Sequence, residues 1–246
     1  MTVTIMGGVF SANFNGNPFV FFSTLHIVTL LILALLNAAV LLWLKRVRSD
    51  VVKKRFRYTL AAVLLALECG YEFWTMLVGI WSVKIYLPLQ LCDISLILSS
   101  IMLINKNYLV YEITYFIGIG GSLQALLTPD LMPYSYPHFV FFVFFLTHGL
   151  TITAVLYMTM IEGYRPRLGS IARTFAFINI CAVPLLGLNF LIKSNYLFLN
   201  QKPGTPSLLD LLGPWPWYIL SLEGVSLIIF LILYLPFLRT SNRQGS

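Results

Sequence analysis

Of the cysteines in this chain, Cys92 has an acid beside it and sits among groups able to do acyl chemistry. Cys92 lies in Leu87-Pro88-Leu89-Gln90-Leu91-Cys92-Asp93. A thiolate is an effective nucleophile when a base or a cation favours it; otherwise the side chain is a small buried apolar group. His148, in Phe144-Phe145-Leu146-Thr147-His148-Gly149, follows five phenylalanines on one helix and needs a polar partner, with Cys92, Asp93, Glu72 and Glu223 as candidates. As a general base it could take the Cys92 proton and later return it to a leaving group. His26 could orient another residue or bind a polar headgroup, and His138, in Tyr136-Pro137-His138-Phe139, suits an interfacial contact. Glu68 and Glu72 are four apart and share a helix face, as paired carboxylates of a proton or cation site do. Gln90, Gln124, Asn189 and Glu223 complete the candidate binding groups. With no His-x-x-x-His or Cys-x-x-Cys spacing, neither a metal nor a cofactor is expected.

The elements that must hold these groups follow from composition. Apolar residues are 59% and charged residues 10% of 246, against roughly a quarter charged in a soluble domain. A bilayer is the solvent that fits. The three cysteines, Cys69, Cys92 and Cys181, all lie in apolar segments and read as free thiols. No Lys or Arg occurs in the first 19 residues, so no signal-peptide n-region is expected. The net charge of +7 does not call for nucleic acid, because its distribution has a membrane explanation.

Seven segments are long and apolar enough to cross: about 20–44, 58–80, 86–104, 108–127, 139–161, 170–192 and 216–238. The expected fold is therefore all-α, a seven-transmembrane helix bundle forming a single integral domain over 1–246. One side of the membrane receives 13 cations, among them Lys45, Arg46, Arg48, Lys53, Lys54, Arg55, Arg57, Arg239 and Arg243; the other receives Lys84, Lys193 and Lys202. That bias places the first loop and the C-terminus in the cytoplasm and the N-terminus outside. Counting along each span at the helical rise puts most of the polar groups roughly 5–14 Å below the outer boundary, which suggests an outward-opening polar pocket. Only Glu112 falls in the cytoplasmic half, which otherwise reads as packing. Gly118, Gly120, Gly121 and Ser122 read as a close helix–helix contact. The apolar outer loop from Asn195 through Pro206 to Trp215 folds over the pocket mouth or lies in the headgroup zone.

The motifs resemble a known family. Leu87-Pro88-Leu89-Gln90-Leu91-Cys92, Gln124 through Pro129, Tyr136-Pro137-His138-Phe139, Tyr157 through Tyr164 and Leu212-Gly213-Pro214-Trp215-Pro216-Trp217-Tyr218 are similar to those of the YwaF-type bacterial integral membrane proteins. More distantly, Leu126-Leu127-Thr128-Pro129-Asp130, Gly213-Pro214-Trp215 and the positions of Cys92 and His148 resemble the eukaryotic transmembrane protein 164 family of cysteine-dependent phospholipid acyltransferases. That resemblance implies Cys92 as acyl-accepting nucleophile, His148 as its base and a membrane phospholipid as substrate. Where the eukaryotic motif has a histidine after the cysteine, this chain has Asp93, which could orient His26 or His148. The alternative on the residues alone is a proton- or ion-coupled transporter or small-molecule-binding protein using Glu68, Glu72 and Glu223. The expected location is the bacterial plasma membrane. Oligomeric state is open.

Overall fold

The computed structural model describes residues 8–131, 133–204 and 207–238. Arg239, Arg243 and positions 205–206 of the outer loop, used above, lie outside the described residues, as do positions 1–7. Among the described residues there are seven α-helices and no strand: α1 (Thr24–Arg46), α2 (Asp50–Leu77), α3 (Leu91–Asn105), α4 (Tyr108–Leu127), α5 (Phe139–Met160), α6 (Leu168–Ile192) and α7 (Trp217–Tyr234). Short 3-10 turns follow at Tyr196–Phe198, Leu208–Leu212 and Leu235–Phe237.

Local chemistry sets the boundaries. Ser23 accepts from the His26 amide and so starts α1 after residue 20. Ser49 does the same for Val52, so α2 begins in the basic stretch rather than at 58. The Asn107 side chain accepts from the Val110 amide and opens α4 where the sequence places it. The third helix differs most. Asp93 accepts from the Gln90 amide, and α3 starts at Leu91, not 86, with Pro88 just upstream. Its 15 residues reach about 22 Å, short of the roughly 30 Å hydrocarbon layer.

Five helices, α1, α2, α5, α6 and the α7 stretch to Phe237, are long and apolar enough to cross a membrane. The bundle wears its apolar side chains outward: Leu35 is 68% exposed, Ile180 72%, Val183 73% and Leu191 83%. Such a surface belongs in lipid, and the protein is a helical membrane protein. α4 is the exception that the packing explains. It is held by α3, α5, α6 and α7, and Tyr111 through Gly120 are all buried. A helix facing other helices need not be uniformly apolar.

The Gly118 stretch does pack closely. A Cβ at Gly118 would stand 3.2 Å from Val155 Cγ2 and 3.4 Å from Thr151 Cγ2 of α5, whereas one at Gly121 would meet nothing within 4 Å. Gly118→Leu is therefore expected to lower stability by about 1–3 kcal/mol through overpacking, and Gly121→Leu to leave it nearly unchanged. Thermal unfolding of the two variants in detergent measures the difference.

Candidate functional site

The three histidines are all buried, and their partners set them apart. His26 accepts from the Phe22 amide at Nδ1 (3.0 Å), so its hydrogen is on Nε2, 2.8 Å from the Leu126 carbonyl. It ties α1 to the end of α4. His138 accepts from the Val140 amide at Nδ1 (3.2 Å) and donates from Nε2 to the Ser11 carbonyl (3.0 Å), with its ring stacked on Tyr134 at 4.3 Å. Both imidazoles are fully engaged as neutral rings. Burial holds His138 below the ordinary histidine pKa.

His148 is different. Its Nδ1 stands 2.7 Å from the Phe144 carbonyl one turn back, so that nitrogen carries the hydrogen and Nε2 carries the lone pair. Nε2 is buried and has no hydrogen-bond partner among the described residues. The ring also rests on Phe144, with centroids 4.3 Å apart. Thr151 and Val155, one and two turns further along α5, face Gly118 of α4, so His148 looks into the bundle.

Cys92 occupies the first turn of α3, which packs against α2, α4 and α5. Around it Glu68, Glu72 and Asp93 lie close enough to interact electrostatically with one another, and Asp93 and Glu68 with the thiol. No Lys or Arg forms an ion pair with any of these carboxylates among the described residues. Glu72 accepts from Trp81 Nε1 at 2.7 Å. Asp93 is hydrogen-bonded to the Gln90 amide at 3.0 Å and to neither His26 nor His148. Its carboxylate completes the N-terminal cap of its own helix. Cys92 and His148 are not hydrogen-bonded to each other, since Nε2 is free. All three cysteines are free thiols.

Depth placed the polar groups in one layer; hydrogen bonds sort them into separate sets. Gln90 Oε1 accepts from the Leu197 amide (3.0 Å) and so fastens the outer loop to the start of α3. Asn189, fully buried, donates to the Tyr196 carbonyl (2.9 Å) and accepts from the Tyr196 amide (2.9 Å) and Ser194 hydroxyl (2.7 Å). Gln124 donates to Thr128 Oγ1 at 2.9 Å. Glu223 is half-buried on α7 with no hydrogen bond or ion pair among the described residues. Tyr196 was not singled out in the sequence. Its hydroxyl donates to the Val83 carbonyl (2.7 Å) and accepts from the Leu87 amide (3.0 Å), joining the 193–204 loop to the segment before Cys92. In the sequence it is an aromatic within the apolar outer loop, in the stretch Asn195-Tyr196-Leu197-Phe198.

Asn189 thus serves the loop, and its loss has a definite expected result. Asn189→Ala strands the buried amide of Tyr196, while its carbonyl keeps the Leu199 amide (3.4 Å); the cost is about 2 kcal/mol, or roughly thirty-fold faster amide exchange at Tyr196. Hydrogen exchange read by mass spectrometry on the 194–201 peptide reports it, with the core of α5 unchanged.

Two grooves form elsewhere and include none of these residues. One of about 240 Å³ runs between α1, α2 and α5 past Leu33, Asn37, Leu146 and Thr153. The other, of about 510 Å³, follows the N-terminal end of α2.

The comparisons agree with one of the two family resemblances. No solved structure matches the chain. A protein of Treponema pallidum (strain Nichols), described as uncharacterized, is 30% identical over 224 residues, which is 89% of this chain and 90% of that one. The model of the TMEM164 family matches residues 21–234, from before α1 to the end of α7 and across both Cys92 and His148. The chain belongs to the TMEM164 family.

Proposed function

We propose that this protein is a membrane-embedded acyltransferase or ester hydrolase acting on phospholipids, with Cys92 as nucleophile and His148 as general base. The observation that carries the reading is the tautomer of His148. The Phe144 carbonyl holds the hydrogen on Nδ1 and leaves an unpartnered, buried lone pair on Nε2, the one ring nitrogen of the three histidines left free to take a proton. In the reaction the Cys92 sulfur attacks the ester carbonyl of a phospholipid while its proton passes to His148 Nε2. The tetrahedral intermediate collapses to a thioester, and His148 returns the proton to the departing lyso-lipid alkoxide. An acceptor hydroxyl or water then attacks the thioester by the same route in reverse and regenerates the thiol. Within the family we place the chain with the YwaF-type bacterial proteins. We read it as crossing a bacterial plasma membrane seven times with the N-terminus outside, so that α3 and the Tyr196 loop sit near the outer leaflet.

The test is a covalent intermediate. Purified protein incubated with acyl-labelled phospholipid should yield a hydroxylamine-labile acyl adduct on the peptide carrying Cys92, together with turnover of the lipid. Turnover without an adduct, at full rate in Cys92→Ala, would sink the mechanism. A second reading has one observation in its favour: Glu68, Glu72 and Asp93 share a neighbourhood without a paired cation, as a proton- or cation-coupled transporter requires. That reading expects ion flux in proteoliposomes that Glu68→Gln and Glu72→Gln abolish and Cys92→Ala leaves intact.

A further inference from the structure

The hairpin between α1 and α2 concentrates charge. Residues 45–57 carry Lys45, Arg46, Arg48, Lys53, Lys54, Arg55 and Arg57 against one carboxylate, Asp50. Asp50 reaches only Lys53, at 4.0 Å, and is 98% exposed. The positive-inside tendency accounts for a surplus of cations here. It does not account for their arrangement.

The open groove of about 510 Å³ is lined by Val51, Lys54, Arg55, Tyr58 and Thr59. These positions fall at helical spacing on one exposed face of α2. Neither Lys54 nor Arg55 has a carboxylate partner among the described residues. Behind the groove stands Arg57, 5% exposed, with its guanidinium carbon 4.6 Å from the centre of the Tyr58 ring. Arg57 Nη1 donates to the Leu103 carbonyl and to the Ile104 carbonyl (3.0 Å) at the end of α3, but no carboxylate neutralises it and its Nε is buried without a partner. An uncompensated buried cation beneath two surface cations makes the groove a place where negative charge is favoured.

The same face changes character with depth. Past Tyr58 and Thr59 it continues through Ala62, Val63, Leu65 and Ala66, all exposed and apolar. Cations, then a phenol and a hydroxyl, then hydrocarbon is the order of phosphate, glycerol ester and acyl chain in one lipid molecule.

We propose that this face of α2 is a docking site for an anionic phospholipid, with the headgroup phosphate against Lys54 and Arg55, the glycerol region beside Tyr58 and Thr59, and a tail along Ala62 and Ala66. The site is independent of the acyl-transfer reading and lies at the opposite end of α2 from Glu72 and the Cys92 set. The full chain, extracted and placed in phosphatidylcholine nanodiscs with increasing phosphatidylglycerol, should retain phosphatidylglycerol selectively when released for native mass spectrometry. A juxtamembrane cation contributes about five-fold to binding at an anionic surface, so K54Q/R55Q should weaken retention by about thirty-fold. K45Q/R46Q removes the same charge from the same hairpin outside the groove and should leave retention within about three-fold of the parent. Thermal unfolding checks that both double variants remain folded. Retention of phosphatidylcholine equal to that of phosphatidylglycerol, or equal losses in the two double variants, would overturn the site. So would displacement of the bound lipid by millimolar glycerol 3-phosphate, because the tail-bearing face would then contribute nothing.

Discussion

His148→Gln is expected to lower lipid acyl turnover by about 10²- to 10⁴-fold, the range for loss of a positioned general base, while Cys92→Ala abolishes the acyl adduct altogether. The size of the histidine effect follows from what surrounds the thiol. A nucleophilic cysteine beside a permanent cation can exist as a thiolate before substrate arrives, and such a site tolerates the loss of its base. Cys92 has the opposite setting. Its titratable neighbours are Asp93 and Glu68, both acids, and no Lys or Arg is ion-paired to the cluster among the described residues. The proton must therefore leave during attack, to a group that can take it. His148 Nε2 carries the free lone pair. Glutamine keeps the volume and polarity of the position but cannot accept that proton. Single-turnover rates with acyl-labelled phospholipid measure the effect, with thermal unfolding as the control for fold. Turnover within about three-fold of the parent in His148→Gln would remove the imidazole from the mechanism. In contrast, Asp93→Asn should cost far less, since the carboxylate caps α3 through the Gln90 amide and touches no imidazole.

The candidate residues were legible as types and depths, and their roles were not, for a physical reason. His26, His138 and His148 look alike in sequence: each is a histidine in an aromatic, apolar setting. Each donates to a backbone carbonyl; what separates them is a backbone amide at the other ring nitrogen, from Phe22 for His26 and Val140 for His138 and absent for His148. A backbone amide has no side-chain identity, so no pattern of residue types announces it. The Cys92–Asp93 pairing suggested a triad, but Asp93 is three residues past Gln90, and a helix start offers it a nearer partner than any imidazole. The start of α4 was read at its cap, Asn107, but the caps Ser23 and Ser49 were passed over, and α1 and α2 start at Thr24 and Asp50. Helix ends were also misjudged where the signal was hydrophobicity alone: Tyr86 through Leu89 are apolar enough to extend the third span, yet the chain there is a loop held by Tyr196. The apolar character of the whole and the helical class followed from composition, because only a bilayer accommodates that much exposed Leu, Ile and Val.

The second large effect is expected at Glu112, the polar group that stood apart from the others in depth and that the structure pairs across two helices. Glu112 is 3% exposed and accepts from Ser170 Oγ (2.6 Å), Arg173 Nε (2.9 Å) and Arg173 Nη2 (2.5 Å), a bidentate pair joining α4 to α6. In the sequence Arg173 is simply one of the 13 cations whose bias sets topology, and its partner is 61 residues away. The two ends of the pair are not equivalent, since the Arg173 side chain is 44% exposed and Glu112 is buried. Arg173→Ala leaves a buried carboxylate with one hydroxyl for company and is expected to cost about 3–5 kcal/mol. Glu112→Gln keeps the acceptor for Ser170 and frees a guanidinium that can turn to the headgroups, so its expected cost is about 1–2 kcal/mol, nearer that of a lost hydrogen bond to a charged group. The double variant Arg173→Met with Glu112→Leu removes both charges and should recover most of the stability lost in Arg173→Ala. Unfolding free energies of the three variants in a common detergent decide the matter. Equal losses in the two single variants would mean that the carboxylate is not the buried partner that packing makes it. Because α4 is the helix on which α3, α5, α6 and α7 all rest, a loosened α4–α6 contact should also be felt at Gly118, where α5 and the turn below His148 press against α4.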